Sequence, residues 1–282
     1  MKKVLCKFGL VWLLVALFAA CDDHDTPQDV LRQNGLPLSG SQETAAKKTP
    51  ASGWADVSYN KTTHMLTFTL NWANLTGVPT GAHIHGTAAR GTNAGIQFDF
   101  FSSVPQTPTG SYSASVLADG TKINENDLLN GLYYFNIHTM ANPGGEIRGQ
   151  IEFYDQPHIV VAKGLPLEGS QQVPGVPTSA TGTVDVMYNK STKLLSYFIK
   201  WKDLVSTPTG SHIHGIAPRG ANAPIQHDFF ANFPRDLSGE YSNSVLVDGV
   251  KIKEAELLNG LYYFNIHNVI RPGGEIRAQI EF

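Results

Sequence analysis

Residues 54–72 read WADVSYNKTTHMLTFTLNW. On either side of Lys61-Thr62-Thr63, apolar and polar side chains alternate: Ala55, Val57 and Tyr59 before the turn, Leu66, Phe68, Leu70 and Trp72 after it. A period of two buries one face of an extended chain and leaves the other wet, so the stretch predicts a half-buried β-hairpin. SYSASVLA at 111–118, LYYFNIHT at 132–139 and EIRGQIEF at 146–153 carry the same alternation. Val, Ile, Tyr and Phe dominate them, and clusters of Gly, Pro, Asn and Asp separate them. One short helix is expected at NENDLLNG, 124–131, closed by a glycine.

The pattern occurs twice. Residues 35–153 align with 164–282 at a constant offset of 129 without a gap, with 69 identities in 119 positions. Each copy is long enough for its own core. Seven to nine short strands per copy predict an all-β chain of two tandem antiparallel β-sandwich domains, immunoglobulin-like or superoxide-dismutase-like in their Greek-key layout. The expected boundaries are a first domain at 35–153, a linker at 154–163 (YDQPHIVVAK) and a second domain at 164–282.

The first 20 residues read as a signal peptide: Lys2, Lys3 and Lys7 precede an apolar run from Phe8 to Ala20, too short to span a bilayer comfortably. Ala19-Ala20 then meet Cys21, which resembles a bacterial lipoprotein signal, with Phe18 where such signals more often carry Leu. The resemblance implies lipidation of Cys21 and anchoring in the cell envelope at the outer membrane, periplasmic or surface-exposed. Ordinary signal cleavage beside an incidental cysteine is the alternative. Removal of the signal would take Cys6 with it, leaving one cysteine and no intrachain disulfide. The acidic stretch after Cys21, through residue 34, reads as a flexible tether. A net charge of −3 without a basic cluster argues against nucleic acid as a partner.

Each copy repeats one histidine arrangement. GAHIHG at 81–86 and GSHIHG at 210–215 put two histidines one residue apart, and a third follows in YFNIH, at His138 and His267. On a strand, His83 and His85 share a face while Ile84 takes the other; Tyr134, Asn136 and His138 likewise share one. If the two strands are neighbours, three imidazoles converge in each copy: His83, His85 and His138, then His212, His214 and His267. Neutral imidazoles with an open position suit copper or zinc. The other ring nitrogens then need partners, for which Asp99, Asp228, Glu146 and Glu275 are candidates. A structural role for the histidines, bonding loop carbonyls, and a ligand site without metal are the alternatives. In PGGEIRGQI, Glu146, Arg148 and Gln150 share a strand face, and an Arg148–Glu146 ion pair is expected, with Arg277–Glu275 in the second copy. In a metal site the arginines would instead guide an anion. No Gly-x-Ser-x-Gly elbow, phosphate loop or His-Glu-x-x-His occurs.

LPLEGSQQVPGVPTSATGT, HIHG, DGVKI, LLNGLYYFNIH and PGGEIRAQI resemble the CHRD domain, first described in chordin. The resemblance implies an extracellular β-domain, often in tandem, with no settled activity among bacterial members. The first copy departs at its start, with ETAAKKTPASGW where the second has QVPGVPTSATGT. A fainter resemblance is to copper–zinc superoxide dismutases, in the order of HIHG, YFNIH and the Gly-rich turn before the last strand. By position it matches three copper ligands to His83, His85 and His138, and to His212, His214 and His267, with copper favoured over zinc. The zinc loop and the disulfide of that family are lacking. Two functions follow as expectations: a non-enzymatic module binding an extracellular or periplasmic protein or glycan, or a three-histidine copper protein, at its furthest superoxide-dismutase-like.

Overall fold

The structure, a computed structural model, describes residues 29–282. The expected signal peptide and the lipidation at Cys21 lie outside the described residues. In the first repeat the strands are β1 (Val30–Ser39), β2 (Ser52–Asn60), β3 (Met65–Ala73), β4 (Pro79–Gly86), β5 (Ile96–Asp99), β6 (Gly110–Leu117), β7 (Tyr133–Thr139) and β8 (Ile147–Ile151). The second repeats them as β9 (Ile159–Glu168), β10 (Thr181–Asn189), β11 (Leu194–Lys202), β12 (Pro208–Gly215), β13 (Ile225–Asp228), β14 (Gly239–Leu246), β15 (Tyr262–Asn268) and β16 (Ile276–Gln279). All pairings are antiparallel. The strand order is β5-β4-β7-β8-β1-β2-β3-β6, and β13-β12-β15-β16-β9-β10-β11-β14 in the second repeat.

The hairpin at 54–72 forms as its alternation requires. Asn60 pairs with Met65 across the turn, and Ala55, Val57, Tyr59, Leu66, Phe68, Leu70 and Trp72 are buried. β1 and β8 meet at a single bridge, Ser39 to Arg148. There the eight strands divide into two halves that face each other. Phe68 on β3 lies 5.3 Å from Phe100 and 5.0 Å from Phe135 on β7, ring centre to ring centre. Burying each such ring contributes about 2–3 kcal/mol, so this aromatic contact fixes the separation of the layers. The helix α1 (Glu125–Leu129) starts where Asn124 accepts a bond from the Asp127 amide, and Gly131 follows it at φ +71°.

Two stretches differ from their sequence reading. Residues 30–34, expected in the tether, form the start of β1; residues 159–163, expected in the linker, form the start of β9. Residues 30–34 (VLRQN) are mostly polar, and pairing with the edge of β2 decides them, with Leu31 packed on the core; residues 159–163 (IVVAK) are apolar and β-branched, a local strand signal of their own, and pair with β10.

Candidate metal centre

β4 and β7 are neighbours, as convergence of the histidines demands: His83 stands opposite Asn136, His85 opposite Tyr134, and Gly81 opposite His138. Ile84, Phe135 and Ile137 point into the core. The histidines therefore lie on the outer face of the sheet, under the loops after β4 and β7. The ring centres of His83, His85 and His138 are 5.0–5.8 Å apart. One ring nitrogen from each of the three lies within 4.8 Å of the others, and the same holds for His212, His214 and His267.

Bonds on the far side of each ring decide which nitrogen faces inward. His85 Nδ1 donates to the Ala94 carbonyl at 3.0 Å, and His138 Nδ1 to the Pro143 carbonyl at 3.0 Å. A carbonyl only accepts, so in the neutral rings Nε2 of both carries the lone pair; that of His85 has no partner, and that of His138 accepts from His83 Nδ1 at 3.2 Å. His83 turns Nε2 toward Asp99, 3.7 Å away, and Nδ1 toward the centre. The second repeat matches, with Nδ1 of His214 and His267 bonded to Ala223 and Pro272, and His212 Nε2 3.8 Å from Asp228. There, His212 Nδ1, His214 Nε2 and His267 Nε2 are all buried without a hydrogen-bond partner. Orphaned buried acceptors are costly, and three aimed at one point are what a metal ion would satisfy.

One pair is already spaced as on a metal ion. His83 Nδ1 and His138 Nε2 are 3.2 Å apart, against about 3.3 Å for two nitrogens on a tetrahedral ion with bonds of 2.0–2.1 Å. Glycine makes the room: a Cβ on Gly81 would lie 2.8 Å from His83 Cε1. The protonation state suits it too. Burial, then the neighbouring His138, push His83 down to about 4 against the pull of Asp99, and His212 is lowered to about 4 by burial and His267 in the same way. Burial also lowers His85, His138, His214 and His267. All six imidazoles are neutral at pH 7, the form that binds metal.

Of the expected outer partners, Asp99 and Asp228 lie 3.7 and 3.8 Å from His83 and His212, beyond direct hydrogen-bond reach. Arg148 acts at one remove: its guanidinium sits 3.5 Å over the Tyr134 ring, which stacks on His85 at 5.0 Å and 7°. Arg277, Tyr263 and His214 repeat that stack. Arg148 is 1% exposed and donates to the carbonyls of Ala89 and Thr92, so it clamps the loop over the site and cannot guide an anion from solvent. The Arg148–Glu146 pair expected from sequence does not form. Glu146 instead accepts from Thr49, Thr76 and Thr139, and Glu275 from Thr178 and Asn268. Neither glutamate is bonded to a histidine; both are fully buried and their carboxylates are taken by these donors. Sequence reasoning missed Tyr134 and Tyr263; their place on the strand face of His138 and His267 was the available signal.

The family model of the CHRD domain matches residues 35–151 and 164–280. Chordin of Danio rerio is 31% identical over 163 residues, 54% of this chain but 17% of that protein. No solved structure matches.

Proposed function

The chain belongs to the CHRD domain family, and from that premise we propose an extracytoplasmic, lipid-anchored module of two CHRD domains, each holding a metal ion on three neutral imidazoles. The observation that carries this reading is the convergence of three ring nitrogens in both repeats, all three without a hydrogen-bond partner in the second. His83 Nδ1, His85 Nε2 and His138 Nε2 would hold one ion; His212 Nδ1, His214 Nε2 and His267 Nε2 would hold the other. An imidazole set favours copper over zinc on the general order of divalent affinities. Bound there, the ion supplies a Lewis-acidic centre with room for a further ligand.

The remaining work falls to the protein's own side chains. Ala94 and Pro143 carbonyls fix the ring tautomers, Asp99 faces His83, and Tyr134 with Arg148 backs His85. Holding metal in the envelope is favoured over superoxide turnover, since the arginine behind each site is buried and offers an anion no approach. Chordin shares the domain, which supports an extracellular setting. Among the described residues no helix is long and apolar enough to cross a membrane, and Cys21 would provide the anchor.

Metal content after loading the form beginning at Asp22 with limiting copper or zinc, then desalting against a weak chelator, tests the proposal. About two equivalents are expected, one remaining in His138→Ala and none in His138→Ala/His267→Ala. No retained metal in the parent, with the double variant less stable, would make the histidines structural.

A further inference from the structure

The two repeats touch through surfaces that are not equivalent. In the first, Arg90 donates to Glu152 through Nε and Nη2, both at 2.8 Å, and through Nη1 to Gln42 at 2.9 Å. Nη1 also donates to Ser242 Oγ in the second repeat at 2.8 Å, and the Arg90 carbonyl accepts from Ser244 Oγ at 2.8 Å. Ser41 donates to Glu240 at 2.8 Å. Gly91 approaches so closely that a Cβ there would lie 1.9 Å from Asn243 Oδ1. The turn Gly40–Gln42 and the Arg90 loop thus form a plug seated on β14, the edge strand of the second sheet.

The second repeat builds the same plug and leaves it open. Arg219 donates to Glu281 at 2.7 and 2.9 Å and to Gln171 at 3.0 Å, yet the ion pair is 48% and 46% exposed. A Cβ on Gly220 would meet nothing within 4 Å. The first repeat in turn carries the matching seat: β6 is the edge strand of its sheet, and Ser113 and Ser115 occupy the positions of Ser242 and Ser244 in the same register. Both serines are exposed.

We propose that the open plug of the second repeat docks on β6 of a second copy of this chain, continuing between molecules the contact that joins the repeats within one. Such a contact uses two different surfaces, so copies add head to tail, into a ring or an open filament according to the rotation between them. Arg219 would donate to Ser113, and Ser115 to the Arg219 carbonyl. The intermolecular seat lacks some of the internal one: Ser111, Thr107 and Thr69 stand where Glu240, Asp236 and Phe198 do. It also lacks the linker, which raises the effective concentration of the internal contact. The association is therefore weak in dilute solution and is promoted where anchoring concentrates the chain on a surface. It rests on the fold and not on the metal centre, so either idea can fail alone.

Paired cysteines test it. The form beginning at Asp22 keeps every described residue and contains no cysteine, so Ser111→Cys and Ser170→Cys, at the positions of Glu240 and Ser41, introduce the only thiols. A short bismaleimide is expected to give a ladder of multiples of the chain mass from the double variant. Ala114→Arg, which fills the place of Asn243, and separately Arg219→Glu should abolish it. Absence of the ladder at millimolar protein overturns the proposal. So does a ladder that survives both blocking variants, and so do dimers from either cysteine alone, since those require a self-matching surface.

Discussion

Arg90–Glu152 and Arg219–Glu281 are the same ion pair, on the same strand and loop, in two environments. The first is 9% and 2% exposed, the second 48% and 46%. Duplication copied the residues; docking of the first repeat on β14 covered only one of the copies. A second contrast sits behind the histidines. Glu43 in the first repeat corresponds to Gln172 in the second. Gln172 donates to Asn265 Oδ1 at 2.7 Å, whereas Glu43 accepts one long bond from Asn136 at 3.4 Å and leaves Oε1 buried without a partner. Burial pushes Glu43 up to about 7, with Arg148 pulling the other way. The centres are alike in their ligands and unlike in the residue packed behind them.

The ion pairs offer the largest test. Glu152→Ala strands a buried guanidinium and should cost about 3–5 kcal/mol in urea unfolding at pH 7, while Glu281→Ala should cost less than about 1 kcal/mol. Similar losses would mean that the plug is not seated in solution. Glu43→Gln comes next. Because the folded carboxyl binds its proton more tightly than the unfolded one, its contribution is fully present below about pH 4.5 and is lost as pH rises through about 7. The stability of Glu43→Gln relative to the parent should therefore rise, on the order of 3 kcal/mol, across that window, on a background common to both chains in which the depressed histidines lose stability toward acid. Denaturant titrations of both at pH 4.5 and 8 would measure the difference; parallel pH profiles would refute the assignment. The smallest effect concerns the helices. Asn124 caps α1, whereas Lys253 offers α2 (Glu254–Leu258) no side-chain cap. Lys253→Asn should raise the stability of the second repeat by about 0.5–1 kcal/mol, and Asn124→Lys should lower the first by a similar amount, read from thermal unfolding.

Much of the fold was legible because alternation is a local property. The hairpin at 54–72 needs only its own side chains to declare which face is buried, and the glycine after α1 needs only its own backbone. The histidine faces were legible for the same reason: strand geometry puts His83 beside His85, and two repeats of one order made the third histidine visible. Gly81 and Gly86, which frame the pair, are explained only once the rings that crowd them are in place.

What tertiary structure decided is which groups meet. Arg148 and Glu146 share a strand face in sequence, yet one stacks on Tyr134 and the other takes a threonine cluster drawn from three separate segments. Residues 30–34 have little pattern of their own and became strand because a neighbouring edge needed a partner. Identical pairs at Arg90–Glu152 and Arg219–Glu281 differ in burial because one faces β14 and the other faces solvent. Period and spacing act over a few residues and survive in the sequence; desolvation and the pairing of buried charge depend on groups dozens to hundreds of residues away, and only the folded chain brings those together.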